Sequence, residues 1–530
     1  MGTLWYGGKV RTLIDEDDIQ EAVFVKDGVI QDVGNTDEIK KRYKQYITKE
    51  YDLTGATMYP GFVDSHLHMI GHGEKLLRLD LSSVKSIDEL KETLKAAAKK
   101  LEKGEWLIGE GFNENLYTDK RVPDRHVLDE VTTEHPVMLT RVCRHALVTN
   151  TIGLTMANID SVTISPPGGK IEKDNDGIPT GYLHDQAQEL VRALIPEEGF
   201  DYVKRALKRS LEDLYRHGFV GAHTEDLNYY GDAIKTLKTF HEVIDGEINK
   251  FRANLLVHHE VALEVFSKLD DFSSNSFIDI GSVKIFADGA LGGRTALLSK
   301  PYADDRKTSG VAIHDLATLE KIVADARKLD MPVAIHAIGD LALEYAIQAI
   351  EKHPAPPFKR DRLIHMQVAR RDLIDRLKNL PVILDIQPRF VASDFPWVMD
   401  RLGEERLNYA FAWKTLLDSD LICAGGSDAP IEPVSPLLGI HAAVTRRKPE
   451  EQHEGYLAKE KLTLFEALQL ITIGSAKAIC QEGNRGLIKK GFVADFTVLE
   501  NDLFDLEPDE WLGTKVNKTI VDNTIMYDRT

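Results

Sequence analysis

Along the middle of the chain, apolar positions switch repeatedly between two periods. Leu316, Leu319, Ile322, Val323, Ala326 and Leu329 recur at helical spacing, Pro332 stops that run, and Val333-Ala-Ile-His336 follows as a short apolar block. A 3.6-residue period predicts a helix with one buried stripe, and a brief unbroken apolar block predicts a strand buried on both faces. Blocks of the second kind recur at Met58 to Val63, Phe219 to His223, Asn254 to His258, Val283 to Phe286, Leu363 to His365, Val382 to Ile386 and Ile422 to Gly425, which makes eight with Val333 to His336. Buried strands alternating with helices predict an α/β fold, and eight of them a (β/α)8 TIM-like barrel. Late in the chain Thr463-Leu-Phe-Glu466 fits a capping box and opens a helix running through Ile471.

The two ends alternate differently. Ala22 to Val33 is two apolar runs about Asp27-Gly28, and Thr519 to Tyr527 is broken by Asp522-Asn523, beside a strand-like Ala494 to Leu499. These residues tolerate positive φ, so both breaks read as hairpin turns. Isolated hairpins are marginal in water, and the ends are expected to share one small β-sandwich domain, residues 1–57 with 486–530, around a barrel of residues 58–485. Some 150 residues separate the first strand from the second, far more than a βα connection needs, which predicts an inserted subdomain over 72–205. It holds a helix pattern from Ile87 to Leu101 and a turn-rich Ser165-Pro-Pro-Gly-Gly-Lys170. An insertion at that point is expected to serve as a lid or to select substrate, or else as an oligomer contact or simple decoration.

Composition narrows the partners. The 530 residues are 43% hydrophobic and 28% charged, which suits folded cores, and the net charge of −19 disfavours phosphate backbones and anionic lipid. A small-molecule substrate is expected, with neither nucleic acid nor membrane as partner, and a homo-oligomer stays open. Cys143, Cys423 and Cys480 are too scattered for a metal knuckle and read as thiols in a reducing compartment. No window approaches ~18 apolar residues and the start lacks a signal-peptide pattern, so a cytoplasmic protein is expected.

Candidate chemistry collects at strand ends. His66 and His68 are two apart at the end of the first apolar block, so both rings project from one face and reach one metal ion. His336, His365 and Asp428 each end another block, at the side of a barrel where active sites are built. Any one of them is a common accident; four imidazoles and a carboxylate from four strand ends point to a metal centre.

Pro60-Gly-Phe-Val-Asp-Ser-His-Leu-His68 resembles the first-strand signature of the amidohydrolase superfamily. Val283-Lys-Ile-Phe-Ala-Asp-Gly-Ala-Leu-Gly-Gly-Arg-Thr295 resembles its third amidohydrolase domain family, which includes N-substituted formamide deformylase-like proteins. The resemblance continues through Arg141-Val-Cys-Arg-His-Ala146, Ala334-Ile-His-Ala-Ile-Gly-Asp340 and Gly425-Gly-Ser-Asp-Ala-Pro430, nearly the whole chain. It implies a metal-dependent hydrolase that cleaves a carbon–nitrogen bond other than a peptide bond, amide-like and including N-substituted formamides, by metal-activated hydroxide.

The resemblance also implies roles. Lys284, costly if charged inside a strand, would be carbamylated and bridge two divalent metals, with His66, His68 and Asp428 on one and His336 and His365 on the other. Zinc suits the mixed ligand set, while Mn, Fe and Co also fit. Asp428 is expected to take a proton from water and pass it to the leaving amine. Arg144, His145 and Asp288 lie in family-like motifs and either contact substrate or orient ligands, and Asp340 is expected as a helix N-cap or a ligand-orienting group. His223, His258 and His259 read as core histidines or as supports behind the ligands rather than as ligands. Ile364 stands where the family usually has an acidic residue, and is expected to point away from His365. Alternatives are a mononuclear deaminase of the same fold, with Lys284 uncarbamylated, and a catalytically silent binding or regulatory barrel.

Overall fold

The computed structural model describes residues 2–101, 103–118, 121–141, 146–166, 168–195 and 199–529. They form two compact units, residues 1–72 with 210–530, and residues 73–209.

The larger unit contains the expected barrel. Its eight parallel strands are β1 (Phe62–Leu67), β2 (Phe219–Thr224), β3 (Arg252–His258), β4 (Ile278–Phe286), β5 (Val333–Ala337), β6 (Asp361–His365), β7 (Val382–Ile386) and β8 (Cys423–Gly425), hydrogen-bonded in that order. Helices Leu316–Lys328 and Asp340–Lys352 flank β5, each with an apolar stripe, Leu319, Val323 and Ala326 on the first. The capping box at Thr463 and Glu466 is formed. Between β8 and β1 the ladder is replaced by two bonds just beyond the strands: Asp428 N–H to the His66 carbonyl at 2.7 Å and His68 N–H to the Ala429 carbonyl at 2.8 Å. Closure therefore sets three of the candidate metal ligands against one another.

The block Met58 to Val63 splits at Gly61. Thr57–Pro60 joins a six-stranded sheet with Lys9–Arg11, Ile19–Gln20, Phe496–Leu499, Val516–Val521 and Thr524–Asp528, and the barrel strand starts at Phe62. A Cβ on Gly61 would come within 2.4 Å of Val220, so glycine is what lets the chain pass from one sheet to the other there. A four-stranded sheet of Val29–Gly34, Ala22–Lys26, Gly2–Tyr6 and Ile47–Asp52 packs on the six-stranded one through Trp5, Val23, Val25, Met58, Phe496 and Ile520. Both hairpin turns are present, with positive φ at Asp27, Gly28, Asp522 and Asn523.

The smaller unit has its own six-stranded sheet and its own core, in which helix Ile87–Ala98 contributes Ile87, Leu90 and Leu94. Among the described residues no helix is long and apolar enough to cross a membrane.

Candidate metal centre

The rings of His68, His66, His365 and His336 form a row at the C-terminal end of the barrel, with successive centroids 5.6, 5.6 and 4.5 Å apart. Asp428 Oδ1 is 3.5 Å from His66 Nε2 and 3.6 Å from His68 Nε2. Lys284, fully buried on β4, places Nζ 3.2 Å from His66 Nε2. All six sequence candidates thus converge on one small volume. His365 at φ +80° and Asp428 at φ +58° hold left-handed backbone, a strain of about 1–3 kcal/mol each for non-glycine residues that packing must offset.

Three rings are fixed by oxygen atoms. His68 Nδ1 lies 2.6 Å from the Glu225 carbonyl, His336 Nε2 3.1 Å from the Gly289 carbonyl, and His365 Nδ1 2.7 Å from Gln387 Oε1. An N–H donated to an oxygen leaves the other ring nitrogen with a lone pair, the arrangement a metal-ligating imidazole requires. Burial, reinforced by neighbouring positive groups, holds His66 and His336 well below the usual imidazole range and lowers His365 to about 4, so these rings are neutral donors. At His68 burial is outweighed by the Asp428 carboxylate, with Asp226 and Glu225 behind it, and its pKa rises to about 9. That end of the row calls for positive charge. His66, His68 and Asp428 offer ligand atoms all within 4.8 Å of one another, so the donor set fits a divalent cation. Burial lowers Lys284 to about 8, toward the neutral amine.

Several supporting residues were not singled out in the sequence. Asp64, inside the first motif, accepts the His66 N–H at 3.0 Å and the Ser427 N–H at 3.1 Å, pinning the end of β1 that carries His66 to the loop that carries Asp428. Arg362 is fully buried under the site, bonded to Asp385 and to the Ser65 carbonyl, each at 2.6 Å. Glu225 and Gln387 follow β2 and β7, two strand ends to which no role had been given; a polar residue closing a buried block was the available signal.

Asp288 is buried and accepts N–H groups of Leu297 (2.8 Å), Ile338 (3.0 Å) and Gly339 (2.8 Å), which braces the loops after β4 and β5 beside His336. Burial raises it to about 7. Asp340 is not an N-cap: Gly339 occupies that position, and Asp340 instead binds Ser299 N–H at 2.9 Å and Arg370 Nη1 at 3.1 Å. Its carboxylate is drawn to these partners rather than back to the helix start. Ile364 packs with Leu256 and Ala334. Arg144 and His145 lie outside the described residues.

A model of the Amidohydrolase family matches residues 49–527. The chain belongs to the amidohydrolase family. Among its relatives, YtcJ of Bacillus subtilis (strain 168) is 47% identical and covers 100% of both chains. N-substituted formamide deformylase of Arthrobacter pascens is 26% identical, over 98% of this chain and 97% of its own. An uncharacterized metal-dependent hydrolase from Pyrococcus horikoshii OT3 has a solved structure that superposes with a TM-score of 0.77 at 30% identity, covering 96% of this chain and 99% of its own. This amidohydrolase-family chain is accordingly a hydrolase, and its histidine and carboxylate cluster is suited to a divalent metal.

Proposed function

We propose that the chain hydrolyses a carbon–nitrogen bond in a small amide-like molecule, N-substituted formamides included, at a centre built from His66, His68, Lys284, His336, His365 and Asp428. The supporting observation is the row of four imidazoles, three with one nitrogen held by an oxygen, which on the neutral His336 and His365 rings leaves the other nitrogen with its lone pair. His66, His68 and Asp428 would hold one zinc ion, His336 and His365 a second, and Lys284, carbamylated, would join them. Divalent metal supplies Lewis acidity at the carbonyl and lowers the pKa of water toward about 7.

The chain's own groups do the rest. Burial favours the neutral Lys284 amine, the form that reacts with carbon dioxide. Asp428 is held below the usual carboxylate range: burial opposes this, but the contact with the positively charged His68 prevails. Its Oδ atoms are placed to accept a proton from water and return it to the leaving nitrogen. Asp288 and the Glu225 carbonyl keep the rings in position.

A second reading, a mononuclear deaminase, draws on the fact that among the described residues only His66, His68 and Asp428 bring their ligand atoms mutually within 4.8 Å. Metal analysis with native mass spectrometry separates the two. Two metals per chain, with the added mass of carbon dioxide lost in Lys284→Ala, are expected; one metal per chain and an active Lys284→Ala enzyme would leave the deaminase reading. Turnover of an N-acyl, formamide and cyclic amide panel tests the substrate class, and inactivity of the metal-loaded protein on all of it would favour a silent barrel.

A further inference from the structure

The loop after β2 brings a second carboxylate and a phenol to the His68 end of the imidazole row. Glu225 is fully buried, with Oε2 3.8 Å from His68 Nδ1, and its charge acts on His68 and Lys284 together. Tyr229, one helical turn further along the chain, sets its ring edge-on to His68, at 67° and with centroids 5.9 Å apart. The residue is 49% exposed, so its side chain spans from solvent to the edge of the candidate ligands. Asp428 also lies within electrostatic reach of the Tyr229 hydroxyl.

The direction of one hydrogen bond decides what this phenol can do. The Tyr229 hydroxyl donates to Glu225 Oε2 at 2.6 Å, the short separation of an O–H given to a carboxylate. Glu225 Oε1 is buried without a hydrogen-bond partner, so among the described residues the phenol supplies the side chain's single hydrogen bond. Buried acceptors left unmatched are costly, which holds the phenolic proton on this bond. A phenol has one proton to give and an oxygen that also accepts. With the proton committed to Glu225, Oη is left as an acceptor, and among the described residues no group donates to it. For Tyr229 to donate to a substrate carbonyl instead, Glu225 would have to lose its partner.

We infer that Tyr229 Oη receives the N–H of the scissile amide, which makes this centre selective for amides that carry hydrogen on nitrogen over N,N-disubstituted ones. This selectivity rests on amide hydrolysis at the proposed centre. An N-alkyl group in the place of the N–H leaves Oη without a donor, and a site built around a hydrogen bond discriminates against the analogue that cannot make it. Holding the N–H also fixes the rotation of the leaving nitrogen, which has to present its developing lone pair to the proton carried by Asp428.

Amine release by the metal-loaded full chain from N-butylformamide and from N-butyl-N-methylformamide tests this, read as a ratio of kcat/KM that is independent of how much of the protein is folded. The wild-type protein favours the N–H substrate. Tyr229→Phe keeps the ring and removes the oxygen, and it lowers kcat/KM about tenfold on the N–H substrate while leaving the N-methyl substrate unchanged. Steric preference between the two amides, set by the retained ring, does not move the ratio. An unchanged ratio in Tyr229→Phe, or an equal loss on both amides, overturns the assignment of Tyr229 and leaves amide hydrolysis standing. If the wild-type protein cleaves neither formamide, the N–H and N-methyl forms of another amide that it does cleave take their place; cleavage of no amide overturns the reading of the centre and the role of Tyr229 with it.

Discussion

The two ends of the barrel bury polar groups in opposite styles. At the N-terminal end charges of both signs come in near-equal number, and the Arg252–Asp495 pair is closed on itself. At the C-terminal end four imidazoles, one lysine and one carboxylate gather with no arginine among the six candidates, and the neutral His336 and His365 rings each keep one nitrogen clear of the oxygen that fixes them. Paired charges satisfy one another, whereas a set of lone pairs sharing one volume is satisfied by a cation. Both styles occur on the same strands. Asp361, paired with Arg327, starts β6 and His365 ends it, so which end a residue occupies decides its chemistry.

The contrast breaks most sharply at Asp428. Asp428→Asn keeps the size of the side chain and removes the charge, and kcat on an active amide substrate falls about 10²–10⁴-fold with the fold intact by circular dichroism. Unchanged turnover would remove Asp428 from the chemistry. Next is the pair buried between the ends. Arg362→Met strands the Asp385 carboxylate and lowers unfolding free energy by about 3–5 kcal/mol in urea titrations, while Arg362→Met with Asp385→Leu recovers most of that loss. If the double variant is no better than the single, the pair does more than balance charge.

A smaller effect is expected at Gln387. Gln387→Ala frees the His365 ring, and metal affinity or activity drops about 10–100-fold, measured by competition with a chelator. The smallest concerns Asp394, which follows β7 and which burial, with the Glu432 charge, raises to about 7. Its folded pKa exceeds the unfolded one, so between about pH 4 and 7 the folded state holds a proton that the unfolded chain has lost, and stability falls as pH rises. Asp394→Asn flattens that slope, and denaturant midpoints at pH 5 and 7 that shift equally in both proteins would show that Asp394 does not titrate there.

Much of this was legible in the sequence. Each buried block reads locally, because a strand covered on both faces needs unbroken apolar residues, and His66, His336, His365 and Asp428 stood out because each interrupted or ended such a block. Lys284 was found only through its motif, since a lysine in an apolar block looks like an error until its neighbours are known. The split at Gly61 escaped the pattern, because Met58 to Val63 is equally apolar on both sides of the glycine and only the approach of Val220 distinguishes them. The cap reading of Asp340 failed for a related reason: a carboxylate at a helix start suits a cap, and the pull of Ser299 and Arg370 comes from distant segments.

By itself, then, the sequence determined the barrel and the hairpins of the terminal sheets, which follow from periodicity and local turn chemistry, and it named the candidate metal ligands, Lys284 through its family motif alone. The tertiary structure decided which ring nitrogen is tied and which is free, that closure between β8 and β1 sets Asp428 against His66 and His68, and that Tyr229 stands against His68. Those outcomes depend on register and on carbonyl groups contributed by residues far apart in the chain, and such contacts leave no period in a linear sequence.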